Sequence, residues 1–169
     1  MQEAHEAGAA PRFLADAMLG RLARWLRILG YDAAYDSGED EDLLARAWQE
    51  GRILLTRDTH LLRRRRLPRH LFIQSDHVLE QIRQVLSALE LPRSAGPARR
   101  CLRCNVVIEP CGKDEVAGRV PDFVWSRHQA FWRCPACERI YWPGTHWQRM
   151  DEVLRVLERQ APFGGSSGR

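Results

Sequence analysis

Two Cys-x-x-Cys pairs in the last third of the chain constrain its fold more than any other sequence feature. Cys101 and Cys104 form the first pair, and Cys134 and Cys137 form the second. Four thiolates around one Zn²⁺ ion make a closed, tetrahedral, structural site. The 29 residues between the pairs fit in a loop, because the ion only requires the two pairs to meet. The sequence therefore predicts a structural zinc site.

Strand-like runs after each pair complete the pattern of a zinc ribbon. They are Val106–Ile108 and Ile140–Trp142. The module is rich in aromatic residues, which we interpret as its core or as a stacking platform for unpaired bases: Phe131, Trp132, Tyr141, Trp142 and Trp147. We interpret the fifth cysteine, Cys111, as a small apolar residue or a free thiol.

The N-terminal residues lack the basic and apolar segments of a secretory signal. Paired cysteines without such a signal indicate metal binding in a reducing compartment rather than disulfides. No apolar run approaches the roughly 18 to 20 residues that a membrane span needs. We therefore expect a cytoplasmic protein with no membrane partner.

Upstream of the cysteines, short apolar runs alternate with amphipathic ones. The predicted strands are Arg12–Ala15, Asp32–Tyr35, Arg52–Thr56 and Leu71–Gln74. The predicted helices are Met18–Leu29, Asp40–Glu50, a short one through Leu61 and Leu62, and Val78–Leu89. The second helix is expected to bury Leu43, Leu44, Ala47 and Trp48. Strands that alternate with helices predict an α/β fold, with a parallel sheet flanked by helices.

Composition and charge suggest the domain organisation. We predict tails at 1–11 and 161–169, an α/β domain at 12–92, a linker at 93–100, and a ribbon with a closing helix near Trp147–Leu157 at 101–160. Of the 26 basic residues only Lys113 is a lysine, a bias that suits phosphate contacts but that a GC-rich genome also produces. Residues 12–92 carry 13 basic and 12 acidic side chains (net +1), and residues 93–161 carry 12 and 8 (net +4). The surplus indicates polyanion contact by the C-terminal part.

Acidic residues follow or flank the predicted strands on one edge of the sheet. Asp16 follows the first strand, Asp58 follows the third, and Asp40 lies in the acidic run Glu39–Asp42 that opens the second helix. Ligands bind at the carboxyl ends of parallel strands, and clustered carboxylates suit Mg²⁺ or Mn²⁺. A single aspartate at a strand-to-helix junction is usually a helix N-cap, but three at corresponding junctions favour a metal site.

A run of four arginines, Arg63–Arg66, follows Asp58 closely. Such a run is typical of a solvated surface, but next to a metal site it would also bind phosphates. The sequence leaves both interpretations open.

Three motifs resemble a known family. They are the segments Phe13–Gly20, Leu22–Arg27 and Leu54–Asp58, and the match continues through Phe131–Pro135 and Tyr141–Trp147. Together they resemble the PIN-like RNase domain family first described at the C-terminus of the mutator-seven exonuclease. Members of that family join a PIN-like domain to a C-terminal zinc ribbon.

The resemblance implies a PIN-type nuclease that holds divalent metal on Asp16, Asp40 and Asp58, with Asp42 as the fallback for Asp40. Many PIN-like relatives carry a further acid where this chain has His60, so the site is expected to hold one metal tightly or to recruit Asp76.

The resulting hypothesis is a ribonuclease that hydrolyses RNA phosphodiester bonds with Mg²⁺ or Mn²⁺. Arg57 and the run Arg63–Arg66 would contact RNA, and the ribbon would aid binding. The alternative is a non-catalytic RNA- or ribosome-binding adaptor. The loss of an acid at His60 favours this alternative, and the presence of Asp16, Asp40 and Asp58 speaks against it.

Overall fold

The computed structural model describes residues 10–93, 99–144 and 155–156. The first part comprises β1 (Arg12–Ala15), α1 (Gly20–Ile28), β2 (Asp32–Tyr35), α2 (Asp40–Glu50), β3 (Ile53–Thr56), β4 (His70–Phe72) and α3 (Val78–Ala88). The second part comprises β5 (Glu109–Cys111), α4 (Asp122–Arg127), β6 (Phe131–Arg133) and β7 (Ile140–Tyr141). Short 3-10 turns lie at Ala17–Leu19, Leu61–Arg63 and Asp114–Val116.

The first four strands form a parallel sheet in the order β2-β1-β3-β4. All four residues of β3 are buried, as expected for an apolar run in a sheet that helices cover on both faces. Alternate residues of the strands pack into two separate apolar clusters. Phe13 and Leu55 pack with α1 and α3, whereas Leu14 and Leu54 pack with α2. The predicted α/β fold, a parallel sheet flanked by helices, is confirmed.

Predicted element boundaries are close to those observed, with small shifts. The first helix begins as the 3-10 turn Ala17–Leu19, and β4 begins one residue before the predicted strand. Helix α2 ends as predicted at Gly51, whose φ of 59° is the left-handed conformation of a helix C-terminus.

The prediction that Trp48 is buried in the core is wrong. Leu43 and Ala47 of α2 are buried, but Trp48 is 58% exposed. Positions 43 and 47 lie one helical turn apart and share the stripe that faces the sheet, whereas the next residue is turned by about 100° towards solvent.

The second part forms a three-stranded antiparallel sheet in the order β5-β6-β7. Its first strand lies at Glu109–Cys111 and not at the predicted Val106–Ile108. Val107 makes only an isolated bridge to Arg100, and Val106 and Val107 are both exposed. Ile140 and Tyr141 do form a strand, as predicted. The closing helix was predicted over 147–157. Arg155 and Val156 are helical, and the rest of it lies outside the described residues, as do residues 1–9, 94–98 and 161–169 of the predicted tails and linker.

Most aromatic residues of this module belong to its packing. Phe131 is buried in one apolar cluster, and Trp132, Tyr141 and Trp142 pack against that cluster or a second one. Trp132 also lies under the guanidinium of Arg99, 4.5 Å from its ring centroid. These contacts favour the interpretation that the four aromatic residues form the core of the module. Trp147 lies outside the described residues.

Polar contacts join the cysteine module to the β2 edge of the parallel sheet. Arg27 of α1 is buried and donates from Nε to the Ala33 carbonyl (2.7 Å) and from Nη1 to the Leu102 carbonyl (2.6 Å). Asn105 accepts from the Ala33 N–H (3.0 Å) and donates to the carboxylate of Asp32 (2.7 Å). These bonds satisfy backbone groups that an edge strand otherwise exposes.

Candidate functional site

Asp16 lies at the carboxyl end of β1 and is only 6% exposed. Its Oδ1 accepts from the Met18 N–H at 2.9 Å, so Asp16 caps the 3-10 turn that follows it. Its Oδ2 accepts from the Thr56 hydroxyl at 2.5 Å and from the Arg57 N–H at 3.0 Å. The carboxylate is therefore held rigidly between β1 and β3.

Thr56 links Asp16 to Asp58. The parallel register pairs Ala15 with Leu55, which sets Asp16 beside Thr56 at the ends of the two central strands. The Thr56 hydroxyl that donates to Asp16 also accepts from the Asp58 N–H at 2.9 Å. Asp58 Oδ1 accepts from the His60 N–H at 2.7 Å. We call the group Asp16, Thr56 and Asp58 the acidic edge.

Asp40 has a different environment. It opens α2, and its Oδ2 lies 3.7 Å from Nη2 of Arg64 in a half-exposed ion pair. Asp16, Asp40 and Asp58 do not form a close three-carboxylate cluster in the part of the chain that the structure describes; the residues that do group as a metal site there are cysteines. The structure therefore brings Asp16 and Asp58 together through Thr56 and does not bring Asp40 into that group.

Asp42, Asp76 and His60 are all exposed. Asp42, the fallback for Asp40, lies on the surface of α2, and Asp76 lies 3.6 Å from the ring of the neighbouring His77. His60, where many PIN-like relatives have an acid, is exposed and contributes its backbone N–H to Asp58. None of the three contacts Asp16 among the described residues.

Sequence reasoning missed Asp36 and Thr56. Asp36 directly follows β2, and its N–H donates to the Ala15 carbonyl beside Asp16. Its carboxylate is occupied by the Gly38 N–H and by Arg46, at 2.9 and 2.8 Å, and these two contacts lower its pKa. Its position directly after a predicted strand is the signal that was available. Thr56 gave no such signal, because its role depends on the register of β1 with β3.

Basic groups flank the acidic edge. Arg57 donates its backbone N–H to Asp16, and its guanidinium Nη1 is buried without a hydrogen-bond partner among the described residues. The four arginines Arg63–Arg66, here called the arginine segment, are all exposed. Polyanions are the ligands that such an arrangement favours.

The four predicted thiol ligands converge in the second part of the chain. The sulfurs of Cys101, Cys104, Cys134 and Cys137 all lie within 4.8 Å of one another. The Cys101 and Cys137 sulfurs are 3.7 Å apart, and two ligands of a tetrahedral ion with Zn–S bonds of about 2.3 Å would lie about 3.8 Å apart. The cluster therefore fits zinc in both ligand type and spacing.

The two cysteine loops have equivalent backbone geometry. The N–H of Asn105 donates to the Cys101 carbonyl at 2.9 Å, and the N–H of Glu138 donates to the Cys134 carbonyl at 2.8 Å. Asn105 and Glu138 have positive φ values of 63° and 57°. Two matched turns of this kind aim four sulfurs at one point. Cys111 lies outside the group, in β5.

The thiols resist simultaneous ionisation. Burial acts to raise the pKa of Cys101, but hydrogen bonds, first among them that of the Tyr141 hydroxyl at 3.1 Å, outweigh it and lower the pKa to about 6. The pKa of Cys104 is raised to about 12, chiefly through its contact with Cys137. A cation among the sulfurs would favour all four thiolates, because it compensates their mutual repulsion.

A model of the family described as Mut7-C RNAse domain matches residues 11–154. This range contains the acidic edge, the arginine segment and all four clustered cysteines. A search of curated proteins and a search of solved structures found no match. None of the described helices is long and apolar enough to span a membrane.

Proposed function

This chain belongs to the Mut7-C RNAse domain family, and from this premise we propose that it hydrolyses RNA phosphodiester bonds with a divalent cation, Mg²⁺ or Mn²⁺. The observation that carries the proposal is the position of Asp16 and Asp58 at the carboxyl ends of the two central strands, where the Thr56 hydroxyl donates to the Asp16 carboxylate and accepts from the Asp58 backbone N–H. This is the edge of a parallel sheet at which ligands bind.

The two carboxylates fit a hard cation. A carboxylate offers about four lone-pair sites, and hydrogen bonds from described residues occupy both sites of Asp16 Oδ2 but only one of Oδ1. No hydrogen bond from the described part of the chain occupies Oδ2 of Asp58. Asp16 and Asp58 would thus hold the cation, and Asp40 would act through water. Such a cation supplies a nucleophilic water at neutral pH and neutralises developing charge.

Arg57 would complete the site. A guanidinium group forms strong, charge-assisted hydrogen bonds with phosphate, so the Arg57 side chain would contact a phosphate oxygen of bound RNA. The backbone N–H of Arg57 meanwhile fixes Asp16, so one residue positions both the acid and the phosphate. Attack of water on phosphorus with cleavage of the P–O3′ bond, the 3′ oxygen leaving and taking up a proton from solvent, would give products with 5′-phosphate and 3′-hydroxyl ends.

We propose that the cysteine cluster holds structural Zn²⁺ and that the ribbon aids RNA binding. Four sulfur ligands leave no open coordination position, so this ion would have no catalytic role. The surplus of basic residues at 93–161 supports contact with the RNA backbone. We also propose a cytoplasmic location, because paired cysteines that bind metal are typical of a reducing compartment.

The test is RNA cleavage by Asp16→Asn and by a matched control, Asp114→Asn, which removes an exposed carboxylate from the ribbon. Mixed single-stranded and structured RNAs are incubated with each protein, with and without Mn²⁺. We expect Asp16→Asn to lose cleavage and the control to retain it. Equal metal-dependent cleavage by both variants would refute the assignment of Asp16.

Two observations favour the second candidate, a non-catalytic RNA- or ribosome-binding adaptor. Asp58 Oδ1 accepts the His60 N–H, which is the geometry of a turn cap, and the three aspartates do not group directly. An adaptor would bind RNA with a steep salt dependence and would cleave none under any divalent metal. The same cleavage assay separates the two candidates.

A further inference from the structure

An open cleft beside α2 contains an exposed aromatic ring between arginines. Trp48, Arg65, Arg66 and Leu67 line it, and it encloses about 620 Å³. We call it the Trp48 cleft. An indole that is more than half exposed in such a cleft has one face available to a ligand.

The arginine segment runs beside α2 from its first turn towards its last. Leu61, just before the segment, is buried with Leu43 and Ala47 of α2. Arg64 then pairs with Asp40 at the start of the helix. The next two residues, Arg65 and Arg66, reach Trp48 near its end. The segment therefore connects the neighbourhood of the acids to the Trp48 cleft.

Arg65 and Arg66 of the cleft have no counterions in the part of the chain that the structure describes. Arg64 pairs with Asp40 and Glu41, but Arg65 and Arg66 make no ion pair among the described residues. Two uncompensated guanidinium groups beside an aromatic ring are complementary to a phosphate backbone and an unpaired base. Double-stranded RNA would keep its bases stacked inside the helix, so the ring selects a single strand.

We propose that the Trp48 cleft binds single-stranded RNA, with one base stacked on Trp48 and its flanking phosphates on Arg65 and Arg66. The proposal rests on the proposed function and adds a base-binding subsite to it. Eight residues of helix separate Asp40 from Trp48, a rise of about 12 Å. That distance corresponds to three or four stacked nucleotides at about 3.4 Å each, and to fewer in an extended strand. The subsite would therefore fix the strand a few nucleotides from Asp40.

The main test compares Trp48→Leu, which keeps apolar volume but loses the ring, with Trp48→Tyr, which keeps an aromatic face. The control is Gln49→Leu, which changes the next exposed side chain on the same helix and removes no ring. Binding of a labelled single strand of about ten nucleotides is measured without added Mg²⁺ or Mn²⁺. We expect about tenfold weaker binding by Trp48→Leu, most of it recovered in Trp48→Tyr, and less than a twofold change in the control.

An abasic scan of the same RNA identifies the stacked base. Removing the base at one position should weaken binding to the wild type about tenfold and should have little effect on Trp48→Leu, because the ring is already gone. Equal losses in both proteins at every position would overturn the proposal, as would wild-type affinity of Trp48→Leu. Either of those results would leave a protein ligand as the occupant to seek.

Salt dependence separates the arginines from the ring. Replacing Arg65 and Arg66 with glutamine should reduce the slope of log K against log salt by about 1.4, at about 0.7 per phosphate contact of a single strand. Trp48→Leu should weaken binding without changing that slope, and a changed slope would contradict stacking.

RNA cleavage is measured separately from RNA binding. Binding with the abasic signature but no cleavage refutes the proposed function alone, and cleavage without that signature refutes the subsite alone. A wild type that binds no RNA overturns both.

Discussion

Arg27 is the residue whose replacement should most weaken the junction between the parallel sheet and the cysteine module. It donates to the Ala33 carbonyl of β2 and to the Leu102 carbonyl in the first cysteine loop, with a third, longer bond of 3.3 Å to the Arg103 carbonyl. Arg27→Met keeps most of the apolar stem and removes all three hydrogen bonds. The change therefore isolates the polar part of the junction.

The expected effect follows from the two short bonds. A hydrogen bond to a charged group contributes about 1.5 to 3 kcal/mol, so the loss of both lowers the free energy of unfolding by about 3 to 6 kcal/mol. Domains of this size are stable by only about 5 to 15 kcal/mol. With a urea m-value of about 2 kcal/mol/M, the midpoint should fall by about 1.5 to 3 M.

The assay is urea unfolding of zinc-loaded protein, followed by circular dichroism. The matched control is Arg21→Met on the same helix, where the side chain is exposed and the expected change is under about 0.5 kcal/mol. If Arg27→Met unfolds at the same urea concentration as Arg21→Met, the hydrogen bonds of the junction contribute nothing and the argument is wrong.

Three further predictions concern the zinc ligands, Asp32 and the arginine segment. Strong chelation should unfold the cysteine module before the α/β domain, so proteolysis should cut first beyond Arg100; simultaneous loss of both parts would mean that they share one cooperative core. Asp32→Asn should destabilise the protein at pH 7 and less so in acid. Burial acts to raise the Asp32 pKa, but hydrogen bonds from Arg52 and Asn105 outweigh it and lower the pKa, so its stabilisation is present above about pH 4 and is lost as the pH falls through the folded value. Urea unfolding curves of the wild type and Asp32→Asn at pH 7 and in acid test this. An equal loss of unfolding free energy under both conditions would refute it. Replacing Arg63–Arg66 with glutamine should give weaker, less salt-sensitive RNA binding with the chemistry intact at saturating RNA, and unchanged salt dependence would exclude the segment as a phosphate contact.

Local patterns were sufficient to predict the parallel sheet. Strands β1 and β3 are short apolar runs bounded by polar residues, and that pattern is independent of distant contacts. The cysteine cluster was equally predictable, because four ligands in two pairs leave few other arrangements.

The errors arose where the outcome depends on tertiary contacts. Trp48 continues an apolar pattern on α2, but nothing in the sequence states how wide the buried stripe is. Val106 and Val107 have high β propensity, yet the pairing of β5 with β6 begins only at Glu109. The Thr56 bridge and the Arg27 junction join residues 40 and 75 positions apart, and no local signal predicts either.

The most direct test of the central claim is a Mn²⁺ titration of RNA cleavage by the wild type and by Asp58→Asn, with RNA binding measured in parallel. Asp58→Asn removes one charge from the acidic edge with little change of shape. We predict metal-dependent cleavage by the wild type, its loss in Asp58→Asn, and binding that persists or tightens because a negative charge near the phosphates is gone. Cleavage at the wild-type rate by Asp58→Asn, or no cleavage by the wild type at any Mn²⁺ concentration, would contradict the assignment of a catalytic metal site to Asp16 and Asp58.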